Sequence, residues 1–143
     1  MAQKAIRESD GKRMLARLLP QYFDGGAEAA AAAGDGLSSR AALVGLPESG
    51  GAIDWDATAV AAPWVLSERL VVKPDQLIKR RGKGGLLLLN ADWAGVRAWV
   101  DARAGTDVTI DGVTGRLTNF IVEPYVPHAQ TDEYYVCIQS EGP

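Results

Sequence analysis

Leu70-Val71-Val72-Lys73-Pro74-Asp75-Gln76-Leu77-Ile78-Lys79-Arg80-Arg81-Gly82-Lys83-Gly84-Gly85 is the stretch on which the reading of this chain turns. An apolar, β-branched run ends on a lysine, and the proline after it biases that lysine toward extended geometry and stops regular structure there. A glycine-rich cationic segment follows. Gly82, Gly84 and Gly85 let backbone approach an anion closely, and Lys79, Arg80, Arg81 and Lys83 supply charge beside them. No G-x-x-x-x-G-K-[ST] phosphate loop and no G-x-G-x-x-G dinucleotide signature occurs in the chain, so the segment reads as an anion site outside both of those patterns. From position alone, Lys73 reads equally well as a solvated lysine at a strand end.

Working outward, the 143 residues suffice for one domain that buries roughly 70% of its unfolded surface. Residues 24–53 carry Ala, Gly and Ser, including the run Ala29 to Ala33, with few large side chains, and are expected to form a mobile insertion. The divisions expected are an N-terminal helical segment over 1–23, that insertion over 24–53, and the main domain over 54–143. A formal net charge of −3 argues against bulk electrostatic binding to nucleic acid. One cysteine and one histidine give neither an intrachain disulfide nor a zinc set. The apolar runs are too short to span a bilayer, and no signal core follows Lys4 and Arg7. A cytoplasmic setting without a membrane or nucleic-acid partner is the expectation.

Ile6, Met14, Leu15, Leu18 and Leu19 at near-helical spacing predict an amphipathic helix over 7–19, with Ser9 or Asp10 at its N-cap. A short helix is predicted from Asp54 to Ala62, stopped by Pro63. Leu70 to Lys73 and Gly85 to Leu89 read as a hairpin-like strand pair. Trp93, Val96, Trp99 and Val100 mark the face of a helix ending near Gly105. Val108 to Ile110 turns at Asp111-Gly112, and strands follow at Leu117 to Val122 and Tyr134 to Ile138. The sum is an α/β (α+β) chain with a twisted mixed sheet and an N-terminal helix.

Val-Val-Lys-Pro-Asp-Gln-Leu-Ile-Lys-Arg-Arg-Gly-Lys at 71–83 and Phe-Ile-Val-Glu-Pro-Tyr-Val-Pro-His at 120–128 closely resemble the N-terminal ATP-grasp region of the ATP-citrate lyase family. The likeness begins at Lys4-Ala5-Ile6 with Gly11-Lys12, lapses from about Tyr22 to Ile53, and resumes from Asp54-Trp55 to Ile138. It implies a partial ATP-grasp nucleotide-binding fold. It also implies ATP as the cofactor, with Lys73, Arg81 and Gly82 on the phosphates and Pro124 and Val126 along the adenine edge. Glu133 would lie near the ribose, with Asp132 beside it as the alternative. Backbone groups of an extended segment suit a base edge because they are not all consumed by a sheet ladder. His128 matches a histidine after the adenine segment rather than the family's phosphoryl carrier, and reads as structural. Cys137, alternating with Val136 and Ile138, reads as a small buried hydrophobe.

The resemblance further implies the nucleotide-capturing part of an enzyme that converts ATP, citrate and CoA to acetyl-CoA, oxaloacetate, ADP and phosphate. The family's Mg²⁺ ligands, phosphorylated histidine, citrate site and CoA site have no counterpart in these residues, so no catalytic or metal-binding residue is expected here. The remainder of the lyase, or its other subunits, would be the partner. Two expectations follow from different classes: an N-terminal fragment of the lyase, or a short non-catalytic nucleotide-binding or assembly module related to it. On either, oxaloacetate production from ATP, citrate and CoA by this chain alone should not rise above that of a Lys73→Ala control.

Overall fold

The computed structural model describes residues 6–18, 21–22, 40–76 and 85–134. Their elements in chain order are helix α1 (Glu8–Leu18), strand β1 (Ala42–Gly45), helix α2 (Trp55–Ala61), a 3₁₀ turn (Pro63–Leu66) and strand β2 (Leu70–Pro74). Strand β3 (Leu88–Ala91), helix α3 (Trp93–Asp101), strands β4 (Asp107–Ile110), β5 (Val113–Arg116) and β6 (Asn119–Pro124), and a 3₁₀ turn (Gln130–Asp132) complete them. One sheet runs β1-β6-β2-β3 and a separate hairpin pairs β4 with β5, antiparallel throughout the described residues.

Strand β6 lies between β1 and β2, and Phe120, Ile121 and Val122 are all fully buried. Burial on both faces explains why its sequence is a continuous apolar run rather than an alternating one. Strand β2 does alternate. Leu70, Val72 and Pro74 are buried, whereas Val71 and Lys73 are partly exposed on the opposite face. The register aligns Val72 with Val122 and Val71 with Glu123, so Lys73, Val71 and Glu123 share the face away from the core.

The core packs against the other face. Val96 and Val100 of α3, Trp55 of α2, and Val65 and Leu117 join Leu70, Val72, Phe120 and Val122 there. Trp55 meets Trp93 edge-on at 5.3 Å, joining α2 to α3, and Trp99 meets Phe120 at 6.1 Å, packing α3 onto the sheet. Helices α2 and α3 begin where Asp54 and Asp92 accept hydrogen bonds from the amides of Ala57 and Gly95. Asp111 and Gly112 both adopt positive φ, 51° and 79°, as a tight two-residue hairpin turn requires. That turn matches the sequence reading, but strand β5 after it was not anticipated.

Two further expectations are corrected. Residues 42–45, inside the stretch 24–53 read as an insertion, form β1 and pair with Asn119 to Val122 of β6. Ala42 and Val44 are buried against the core, so two small apolar residues suffice to seat an edge strand beside β6. Gly45 permits the close fit, since a Cβ there would lie 2.8 Å from the Thr118 carbonyl oxygen. Helix α1 forms where an amphipathic helix was expected, with Met14, Leu15 and Leu18 exposed and its polar face docked on the sheet; the second correction concerns its N-cap. Ser9 is not an N-cap but sits in the first turn, and the strand read at 134–138 lies, beyond Tyr134, outside the described residues.

What holds α1 is Asp75, buried to 1% exposure directly after β2. Its carboxylate accepts the Ser9 hydroxyl at 2.5 Å and the Ser9 amide at 3.2 Å, giving a first-turn N–H the partner that the helix itself cannot provide. Gln76 secures the same strand end, accepting from the Thr118 amide at 2.8 Å and donating to the Arg116 carbonyl at 2.9 Å. Replacing Asp75 with Ala strands the buried Ser9 donors and should lower unfolding stability by about 2 to 3 kcal/mol in urea titrations. Gln130→Ala, in the exposed 3₁₀ turn, should stay within about 0.5 kcal/mol of the parent chain.

Candidate functional site

Lys73 leaves β2 on the face that α1 covers, and its surroundings follow from two periodicities. Along β2 and β6, Val71, Lys73 and Glu123 share a face because strand side chains alternate. Along α1, Glu8 and Lys12 lie four residues apart and so one above the other. Docking α1 through Ser9 brings these two pairs together. The Lys73 ammonium lies 2.6 Å from Glu8 Oε1 and 3.2 Å from Glu123 Oε2. The Lys12 ammonium lies 3.0 Å from the same Glu8 oxygen and also bonds Glu123 Oε1.

Two lysines and two carboxylates thus alternate in a closed, partly buried cluster. Burial opposes charge on Glu8, but the hydrogen bonds and charges of Lys73 and Lys12 outweigh it and hold its pKa at about 2, against an ordinary 4.5. Burial likewise opposes charge on Lys12, and Glu123 and Glu8 outweigh it, so its pKa is raised. Both shifts favour the charged forms of Glu8 and Lys12.

A cavity of about 560 Å³ opens beside the cluster. It is lined by the polar side chains of Lys12, Lys73, Glu123 and Arg40, by the apolar Val71, Leu87 and Leu89, and by a ledge of Pro124, Tyr125 and Val126 with His128. The size is that of an ordinary small-molecule site. Strand β3 and the residue before it contribute through alternation, Leu88 packing toward the core while Leu87 and Leu89 line the cavity. The ledge is pinned by its backbone: the Tyr125 amide donates to the Arg69 carbonyl at 2.7 Å, and the Val126 carbonyl is 2.8 Å from His128 Nδ1.

Of the residues anticipated from sequence, Lys73, Pro124 and Val126 converge on this one cavity. Glu133 does not line it. Its carboxylate instead lies 3.0 Å from His128 Nε2, one side chain behind the wall. With the Val126 carbonyl first and Glu133 second favouring the imidazolium, the His128 pKa is raised, and in that form both ring N–H groups donate. Arg81 and Gly82 lie outside the described residues.

Sequence reasoning passed over Lys12, Arg40, Glu123 and the leucines of β3 as site residues. The alternation of Leu87 with Leu89, and the spacing of Glu8 with Lys12, were readable signals. The packing that brings them together was not. Among the described residues no group of three or more His, Cys, Asp or Glu side chains could hold a metal ion. Glu8 and Glu123, the two carboxylates of the cluster, are both engaged by lysines, so the residues described do not fit Mg²⁺. No helix among them is long and apolar enough to cross a membrane.

Comparison with known proteins agrees with this geometry. The family model of the ATP-citrate synthase ATP-grasp domain matches residues 2–142. Human ATP-citrate synthase is 53% identical over 85 residues, covering 59% of this chain and 8% of that protein. ATP-citrate synthase alpha chain protein 2 of Arabidopsis thaliana is 39% identical over 141 residues, covering 99% of this chain and 29% of the relative. A solved structure of ATP citrate lyase from Methanothrix soehngenii, in complex with citrate and coenzyme A, superposes with a TM-score of 0.72 at 43% identity. It covers 90% of this chain and 27% of that one. The chain therefore spans less than a third of the relatives it matches, and its sheet and helices are part of an ATP-grasp fold.

The Glu8 shift fixes an acid response. Because its folded pKa of about 2 lies below the ordinary 4.5, the unfolded chain takes up the proton first as pH falls. Its contribution is complete above about pH 4.5 and is lost as pH drops toward 2. Urea titrations across that window should show stability falling less steeply for Glu8→Gln than for the parent chain.

Proposed function

This chain belongs to the ATP-citrate synthase ATP-grasp family, and from that premise we propose that the cavity beside Lys73 captures ATP for an ATP-citrate lyase. The observation that carries this reading is the Lys73 ammonium, presented near the end of β2 into a cavity that Val71, Leu87 and Leu89 also line. Cationic and apolar side chains in one cavity suit a nucleotide, with phosphates toward Lys73 and the base against the leucines and the Pro124 to Val126 ledge. Arg81 and Gly82 would complete the phosphate contacts from the cationic segment. Pro124 and Val126 would offer backbone groups to the base edge, and Glu133 would reach the ribose hydroxyls from its place behind His128.

In the complete enzyme the nucleotide would be used, with Mg²⁺, citrate and CoA, to form acetyl-CoA and oxaloacetate with release of ADP and phosphate. The metal would be held by groups other than those described here. Phosphoryl transfer is chiefly a matter of positioning and charge neutralisation, and the share assigned to these residues is to hold the nucleotide in place. The partner would be the remainder of the lyase, whether on one chain or on another subunit. A Schizosaccharomyces pombe relative, 54% identical over 78 residues, is described as a probable ATP-citrate synthase subunit 2.

Titration calorimetry tests the reading. Lys73→Ala should weaken ATP binding tenfold or more, on about 1.5 to 3 kcal/mol for a charge-assisted hydrogen bond. His128→Ala should cost much less, because its ring nitrogens engage Val126 and Glu133. Equal losses in two folded variants would count against the structural role of His128, and unchanged ATP affinity in Lys73→Ala would remove the nucleotide assignment.

A further inference from the structure

We infer that Lys12 of α1 is a second phosphate-binding residue of this cavity, paired with Lys73, and that Glu8 is the positioning residue that holds the two ammonium groups side by side. The inference rests on the nucleotide reading of the cavity and adds to it a binding residue from a different element.

Three observations carry it. Both ammonium nitrogens lie within 3.0 Å of the same Glu8 oxygen, so their spacing is set by one carboxylate rather than by two independent side chains. Both lysines line the cavity while Glu8 does not, which places the carboxylate behind the pair. Glu123 then bridges them a second time, with one oxygen to each. An ammonium carries three N–H donors, and these contacts use two on each lysine. The third on each is left for an acceptor, and the acceptor with several oxygens close together is a polyphosphate.

Electrostatics explains why the carboxylates are needed. Two like charges this close repel one another, and in a partly desolvated site the repulsion would drive one lysine to swing away or lose its proton. Glu8 and Glu123 remove that tendency, so the pair stands ready before any ligand arrives. The helical spacing of Glu8 and Lys12, and the Ser9 to Asp75 anchor, keep Lys12 on this side of α1.

The plain alternative is that Lys12 only ties α1 to the sheet. Ligands differing in phosphate content separate the two. ATP, ADP and adenosine are titrated calorimetrically into the full chain and into Lys12→Met, Lys12→Arg, Glu8→Gln and Lys73→Met. Lys12→Met should weaken ATP about tenfold and leave adenosine unchanged. Lys12→Arg should recover part of the loss, and Glu8→Gln should weaken ATP severalfold with adenosine again unchanged.

If ATP affinity survives in Lys12→Met yet falls in Lys73→Met, or if Lys12→Met weakens ATP and adenosine alike, the inference is overturned while the nucleotide reading stands. If neither lysine matters to ATP, both fall together. Should Lys12→Met fail to fold, NMR of lysine side chains in the parent chain decides the question. ATP, but not adenosine, should shift the signals of both Lys12 and Lys73, and a shift of Lys73 alone overturns the pairing.

Discussion

The buried carboxylate of Asp75 is the contact from which the rest of the site follows. A carboxylate at 1% exposure is tolerated only when its oxygens are hydrogen-bonded, and the donors here are the amide and hydroxyl of Ser9 in the first turn of α1. That satisfies Asp75 and at the same time fixes where a helix with exposed apolar side chains meets the sheet. Once Ser9 is placed, Glu8 and Lys12 have one face of β2 and β6 to address, and that face carries Lys73 and Glu123. The ion cluster is therefore a consequence of the anchor as much as a cause of docking.

Strand β2 shows how one short segment serves two sides of a sheet. Leu70, Val72 and Pro74 point into the core with Phe120 and Val122, while Val71 and Lys73 point into the cavity. A shift of one residue against β6 would exchange the two sets, burying Lys73 among leucines and exposing three apolar side chains. The register is held by the apolar demand of one face and by Asp75 and Gln76 at the strand end. This accounts for the density of the Lys-Pro-Asp-Gln motif: only Lys73 meets the cavity, Pro74 ends the strand, and Asp75 and Gln76 secure the chain to α1 and to the entry of β6.

The parts legible in the sequence were those governed by local rules. The helix of Trp93, Val96, Trp99 and Val100, the strand ending at Pro74, and the Asp111-Gly112 turn each follow from spacing or from backbone preference, and each is found. Strand β1 was not legible, because Ala42 to Gly45 sits in a weakly apolar stretch and becomes a strand only by lying against β6. The orientation of α1 was not legible for a related reason. Its apolar periodicity says nothing of which side meets the sheet, and in the structure Met14, Leu15 and Leu18 stay exposed while Glu8 and Lys12 pair with the charged side chains of β2 and β6. Of the residues the motif named, Lys73, Pro124 and Val126 line one cavity, whereas Lys12 and Glu123 needed the tertiary arrangement to be seen there. Glu133 does not line the cavity itself but bonds His128, which does.

The balance of charge in the cluster bears on how such a site selects its ligand. Lys12, Lys73, Glu8 and Glu123 sum to zero, and the chain as a whole is acidic, so the cluster projects little long-range field toward an anion. Whatever discrimination it provides acts at contact distance, through N–H groups already aimed and already desolvated on their inner side. An arrangement of this kind attracts anions weakly from afar but spends little on reorganising its donors when a correctly spaced set of oxygens arrives. For the proposed ligand, the apolar side chains of Val71, Leu87 and Leu89 would work in the same direction, because a free phosphate would leave them wet while a nucleotide would cover them. On the proposed reading, a neutral cluster and an apolar lining would together favour the whole nucleotide over its anionic part.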